Sequence, residues 1–484
     1  MARSKAQKPK SAAVAPAAPA APAIPAGALV QVWEDDPETA VLVQRPAPDI
    51  SAGPLAFVFD TAAPAPPPAI YAQGTAEFRY WVAAEALRRG ADFWTKITGL
   101  TQWQVGPTLK VILDEGQDLN AYYDRNALNF FHGPGVGGVV YSGESPDIVC
   151  HEMGHAILDS LKPELFDAAT SEAPAFHESF ADLSAILSAL QLPSLREAIL
   201  ADVRGHLYFN SRLSRLAEQL GSAIRLQQPD AVDRDCLRNA VNAFVYQDPV
   251  ALPQSGPASQ LSSEPHNFSR VFTGASFEIL AGILDAKTQQ QPKPDDLAAA
   301  AVDFAQILVT AIRQAPVVAN WYSQVAAAMV DASGGISDAY PPILRAVFVR
   351  RSILSLDSAA NVASLSKVAA TAPETQGPLA DFALPAGDYG LDRPLVVSAA
   401  QHPRRYVARA AATVGNGALE PASSSTSARA FADDLFTQGR VDYGEFKPKR
   451  PHFNHGRRLC THRLVPHPDG VRLVRLAFDC GLAC

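Results

Sequence analysis

Residues 151–155 read His-Glu-Met-Gly-His, and this pentapeptide constrains the chain more than any other stretch. Residues four apart on a helix differ by only ~40° around its axis, so His151 and His155 project from one face with Glu152 beside them. Two neutral imidazoles so placed suit one zinc ion, and the adjacent carboxylate suits a general base. The flanks predict the helix. Ser145 is a good N-cap, Pro146 suits the first helical position, and Asp147 favours the positive helix end. Ile148, Val149, Ala156, Ile157 and Leu161 supply an apolar side, and Pro163 marks where the helix stops.

A catalytic zinc needs a third protein ligand and one open position. The candidates are a nearby His, Asp or Glu on an adjacent element. A second helix is predicted from about Pro174 through HESFADLSAILSALQL, with Phe180, Leu183, Ile186, Leu187 and Leu190 as its buried stripe. Glu178 stands near its start and Asp182 lies one turn on. Glu178 stands out as third ligand, and Asp182 is placed to hydrogen-bond the free nitrogen of a ligand histidine. Asp147 reads either as part of this site or as a helix N-terminal charge.

Composition bounds the rest. The 484 residues suffice for two or three domains, and a net charge of −8 offers no global argument for nucleic-acid binding. No run of 18 or more apolar residues occurs, so no membrane span is expected. The first 28 residues form an Ala/Pro-rich basic tail whose apolar run is broken by Pro, a poor export signal. A cytoplasmic location, or export by a non-standard route, is the expectation. Residues 29–70 hold short apolar runs that read as strands and a Pro-rich linker. The main domain is expected from 71, with a first lobe over 71–190 and a mostly helical lobe over 191–356. A helix is predicted at 75–98, a strand at 108–115, and two short strands within 119–133. Further helices are predicted at 266–284, 295–314, 319–332 and 341–355. Residues 357–440 read as a linker-like extension, and 441–484 as a small basic Cys/His-rich segment with a hairpin around Pro468-Asp469-Gly470. Five cysteines, an odd number, give no disulfide framework, and Cys150 reads as a buried thiol. His452, His455, Cys460, His462, Cys480 and Cys484 lack the repeated CxxC spacing of a second zinc site.

From about 75 to 355 the chain resembles the thermolysin-like zinc metallopeptidases, of the HExxH-plus-glutamate group. SPDIVCHEMGHAILD is similar to the family's first active-site helix and HESFADL to its second. The resemblance implies an α+β, zincin-type two-lobed fold, with an N-terminal α/β lobe, a mostly helical C-terminal lobe and the metal in the cleft between. It implies one zinc per chain held by His151, His155 and Glu178, with Glu152 as base and Asp182 orienting a ligand. EPHNFSRVFTG resembles the family's His-x-Asn-Ser stretch, which implies His266 as an oxyanion donor. Asn120-Ala121-Tyr122 resembles the edge strand that pairs with a substrate backbone. A peptide or protein substrate follows.

The departures also carry information. Twenty-two residues separate His155 from Glu178, a few more than is usual in the family. His177 stands where the family typically has Asn, and Phe166, with no hydroxyl, where it usually has a tyrosine that helps hold the oxyanion. The acidic cluster that binds calcium in relatives is mostly missing after Asp182, so calcium is not predicted. No typical prodomain is expected. Phe166 and the missing prodomain motivate a second reading, a catalytically impaired zinc-binding fold serving as a protein-interaction module.

Overall fold

Five short strands make the sheet on which the site is built, in the spatial order Phe478–Asp479, Ala121–Tyr123, Ala127–Phe130, Thr108–Ile112 and Ala56–Phe59. The first two pairings are antiparallel and the last two parallel. The computed structural model describes residues 24–39, 41–61, 64–288, 291–362, 377–402, 406, 408, 423–446 and 460–479. The architecture is mixed α+β. Most of the predicted tail lies outside the described residues. The expected hairpin forms between Leu29–Trp33 and Leu42–Pro46. Ala56–Phe59, however, pairs with Thr108–Ile112, so the main domain begins before the Pro-rich joint and not at 71. Phe57 and Leu55 bury their side chains there, and a joint of Pro residues is compatible with a chain that leaves the sheet and returns to it.

The helix Ala76–Thr98 covers the sheet. Thr75 Oγ1 accepts from Phe78 N at its start, and Gly99 closes it in the left-handed region at φ 66°. The motif helix Pro146–Leu161 starts as its sequence predicts, with Ser145 Oγ accepting from Ile148 N. The ligand helix Glu172–Ala189 begins slightly ahead of the predicted Pro174. Its first turn is anchored through the buried Glu172, which accepts from the Tyr246 hydroxyl at 2.6 Å and from Tyr322 N at 2.7 Å. Pro265–Lys287, Pro294–Gln314, Trp321–Gly334 and Tyr340–Arg350 form the helical half, close to their predicted positions. Phe176, Phe272, Trp321 and Tyr322 join the ligand helix to it. Among the described residues no single helix is long and apolar enough to cross a membrane.

The region read as a linker is a correction. Leu379–Leu384, Leu395–Ala400, Gly470–Arg475, His462–His467 and Val441–Asp442 form a second five-stranded sheet, in that order. The helix Ser424–Thr437 packs on it, and Leu395, Val397, Phe431, Phe436, Leu464 and Leu473 make a separate small core. The hairpin at 462–475 forms as predicted, but Leu395–Ala400 pairs parallel with its second strand, so the described residues within 377–475 form one unit. The Ala/Ser-rich composition hides two strands, the second of which, Leu395–Ala400, finds its other partner some seventy residues on.

The motif and ligand helices touch through a missing side chain. A Cβ at Gly154 would stand 2.7 Å from Ala181 Cα and 2.8 Å from Ser184 Cβ, so the helices pack closer than any larger residue permits. Trp94 Nε1 donates to Ser184 Oγ at 2.9 Å and ties the covering helix to the same spot. Gly154→Ala should therefore destabilise the fold by about 1–3 kcal/mol, an overpacking cost, despite its better helix propensity. Denaturant unfolding of both forms checks this, and an unchanged or raised midpoint would contradict the packing described.

Candidate metal centre and cleft

The tight crossing at Gly154 sets two histidines against one carboxylate. One ligand atom each from His151, His155 and Glu178 lies within 4.8 Å of the others, and all three residues are buried. His151 Nε2 stands 3.3 Å from Glu178 Oε2, and His155 Nε2 stands 3.7 Å from Glu178 Oε1. His151 Nε2 and both ring nitrogens of His155 have no hydrogen-bond partner among the described residues. Buried polar atoms are normally satisfied, so nitrogens left bare at one point fit a metal. Burial and the neighbouring His151, His177 and His266 push the His155 pKa well below its usual value. That favours the neutral, metal-binding form. Glu152 is fully buried on the same helix.

Asp182 sits as its spacing predicts. Its Oδ1 stands 3.0 Å from His151 Nδ1, and the opposite ring nitrogen, Nε2, faces Glu178. Burial opposes its charge, but Arg238 and His151 overcome this and hold its carboxyl down at about 2. Sequence reasoning missed Arg238. It donates from Nη2 at 2.7 Å and from Nε at 3.2 Å to Asp182. It lies on the two-residue strand Arg238–Asn239, too short to leave a periodic signal.

His266 faces the same carboxylate, with Nε2 3.3 Å from Glu178 Oε2. Its Nδ1 donates to Glu264 Oε1 at 2.6 Å, and its Nε2 donates to the backbone carbonyl of Asp479, also at 2.6 Å. Both nitrogens thus face acceptors. Burial disfavours the charged ring, but Glu178 and Glu264 outweigh it and lift its pKa to about 10. Glu264, two residues earlier, is the second partner missed from sequence.

The expected edge strand Asn120-Ala121-Tyr122 lies beside this group but is not an open edge. Phe478 and Asp479 pair antiparallel with Tyr123 and Tyr122. Asn120 turns its side chain to its own segment, where Oδ1 accepts from Ala121 N at 2.8 Å. The Phe478 ring stacks on His155 with centroids 5.0 Å apart and on His177 at 4.1 Å, and meets Phe166 edge-on at 5.2 Å. Both departing residues therefore pack on one aromatic ring. A cavity of about 570 Å³ opens on another side, lined in part by Leu237, Arg238, Pro257, Glu264, His266 and Arg270.

Asp147 lines a small pocket with His151, Asp182 and Arg238, but its carboxylate bonds elsewhere. Its Oδ2 accepts from Ala217 N at 3.1 Å, and it groups with Asp36 and Glu218, whose ligand atoms fall within 4.8 Å of its own. The sequence does not predict calcium, and it did not foresee this group, because Asp36 and Glu218 are more than 180 residues apart. Desolvation and mutual repulsion raise all these carboxyls, with neighbouring Asp35 pushed to about 7 and Glu218 to about 8.

Two outcomes follow. Arg238→Ala should weaken metal affinity by roughly 10–100-fold, the usual cost of losing a partner that orients a ligand. Competitive chelator titration measures it, and unchanged affinity would refute the orienting role. The acidic group sets a pH dependence. Carboxyls raised in the folded state stabilise it fully below their unfolded pKa, near 4, and that contribution is lost as pH rises through about 8. Melting temperature should fall between pH 5.5 and 8.5, and Glu218→Gln should flatten the fall. Equal slopes in both proteins would show that the cluster does not titrate this way. In comparisons with known proteins, the chain matches no protein-family model and no curated protein.

Proposed function

We propose that the chain is a zinc-dependent endopeptidase of zincin-type, two-lobed architecture. The observation that carries this reading is the meeting of His151, His155 and Glu178 at one buried point, with Glu152 on the same helix. Two imidazoles and one carboxylate are a donor set for zinc that leaves a position open. Zinc so bound polarises a carbonyl and brings the pKa of water toward neutral.

The residues divide the remaining work. Asp182 and Arg238 fix the ring of His151. Glu152 takes the proton of the attacking water and passes it to the leaving amine. His266 carries a proton on Nε2 at a carbonyl oxygen, the geometry of an oxyanion donor, and Glu264 keeps it charged. The strand Ala121–Tyr123 would offer its backbone groups to an extended peptide in place of Phe478–Asp479, which now pairs with it, and the cavity beside His266 gives room for a side chain. Phe166 favours the second reading, a zinc fold kept for protein interaction, because its ring supplies no donor. Loss of one such donor typically slows a reaction by roughly 10²–10³.

The purified protein should hold about one zinc per chain. It should cleave quenched peptides in a chelator-sensitive way. Glu152→Gln should retain the zinc and lose activity by at least roughly 10³-fold. Wild type and Glu152→Gln equally inert across a broad peptide library, with zinc bound, would favour the interaction module. Absence of tightly held metal would sink both readings.

A further inference from the structure

The strand Phe478–Asp479 joins the sheet at the place a peptide would take, and three independent contacts hold it there. Its backbone pairs antiparallel with Ala121–Tyr123. The Asp479 carbonyl accepts from His266 Nε2 at 2.6 Å. The Phe478 ring lies flat on His155, with an interplanar angle of 7°, and between His177 and Phe166. Ladder pairing supplies affinity independent of sequence, and a side-chain pocket supplies selectivity.

The domain formed by 377–475 delivers this strand. It rests on the interval between the two helices, where Ala169 N donates to Ser398 O at 2.8 Å and Arg475 Nε donates to Phe166 O at 2.9 Å. It also reaches the loop ahead of His266, where Asp434 accepts from Gln254 and Ser263. The Arg475 guanidinium lies 4.4 Å from the Phe478 ring centroid, and Arg440 pairs with the Asp479 side chain. The strand is thus fastened from behind by its own domain and from the front by the cleft.

We propose that Phe478–Asp479 is an intramolecular ligand of the cleft. The chain holds its own extended aromatic–acidic segment where a peptide substrate would bind, and Phe166 and His177 form the subsite for the aromatic ring. This rests on the peptide-binding half of the preceding reading and not on hydrolysis. The same subsite should accept an aromatic residue of a peptide added in trans once the internal ring is removed. An internal ligand competes at an effective concentration in the millimolar range, far above a micromolar probe.

The test uses the full chain in the Glu152→Gln background, so that binding is read without turnover. The probe is fluorescein-labelled Val-Arg-Leu-Ala-Phe-Asp, the sequence of residues 474–479, followed by fluorescence anisotropy. Phe478→Ala should bind it at least about tenfold more tightly than the chain with Phe478 intact. Arg440→Gln, which loosens the strand from its own domain, should shift affinity in the same direction by less. Adding Phe166→Ala to Phe478→Ala should reverse the gain. Equal affinity with and without Phe478, or binding in neither, overturns the proposal. Cleavage assays on chains with Glu152 intact separate it from the peptidase reading. A binding difference with no cleavage in any chain sinks only the peptidase. Glu152-dependent cleavage with equal probe binding sinks only the internal ligand.

Discussion

The close approach of two helices at Gly154 is the constraint on which the rest depends. An ordinary helix pair stands apart by the depth of its side chains. Here the backbone of Ala181 and the side chain of Ser184 fill the space a Cβ would need. That closeness lets Glu178, a short side chain on one helix, reach toward two rings on the other. Gly90 repeats the device one layer away, where its missing Cβ makes room for Met153 and Ser188. Three helices are thereby clamped by small contacts before any ligand is present. A site built on rigid elements holds its geometry better than one assembled from loops.

The clamping carries an electrostatic cost. It buries Asp182, Arg238 and Glu178, and partly buries Glu264 and His266, within one neighbourhood. Isolated charges there would be strongly unfavourable, so the charges come in hydrogen-bonded pairs. Asp182 takes Arg238, and Glu264 takes His266, and both carboxyls are held down at about 2. The two rings with no hydrogen-bond partner among the described residues, His155 and His177, are driven the other way, toward the neutral form. Burial and charged neighbours thus sort the histidines into a charged ring, His266, and a neutral one, His155, from one residue type in one neighbourhood. The sorting depends on second partners more than on the motif itself, since His151 and His155 share a helix face and differ mainly in what stands behind them.

Much of the helical frame was legible because helices write their rules locally. Ser145 and Pro146 announce the motif helix, the apolar stripe announces the next, and the Glu178–Asp182 spacing announces their shared role. Tertiary partners were illegible wherever they come from short strands. Arg238 sits on two residues of strand, and Phe478–Asp479 on two more, paired with residues some 355 positions earlier. Such pairings leave neither a run of alternation nor a turn to read. The small domain was missed for a related reason, since its strand Leu395–Ala400 is buried at five of six positions and reads as an apolar run without period. Phe166 reads from sequence as a lost oxyanion donor and His177 as a substitute that packs or supports a ligand from behind, but neither reading names what they pack on. Their packing on Phe478 gives both a positive role in one aromatic cluster, and links them to residues that no local pattern connects.

The way the small domain is attached decides which part of it can yield. It has its own core and stands on both sides of the cleft, through Ala169 and Phe166 on one side and through Gln254 and Ser263 on the other. Lifting the whole domain would break both sets of contacts together. The strand in the middle is only two residues long, and its hold on the sheet consists of one short antiparallel pairing, one ring and one carbonyl. Both residues are buried, so opening there must break the ring contacts, the His266 bond and the Arg440 pair together. The interval between His155 and Glu178 supplies the ledge, from Phe166 to Ala169, on which the domain rests.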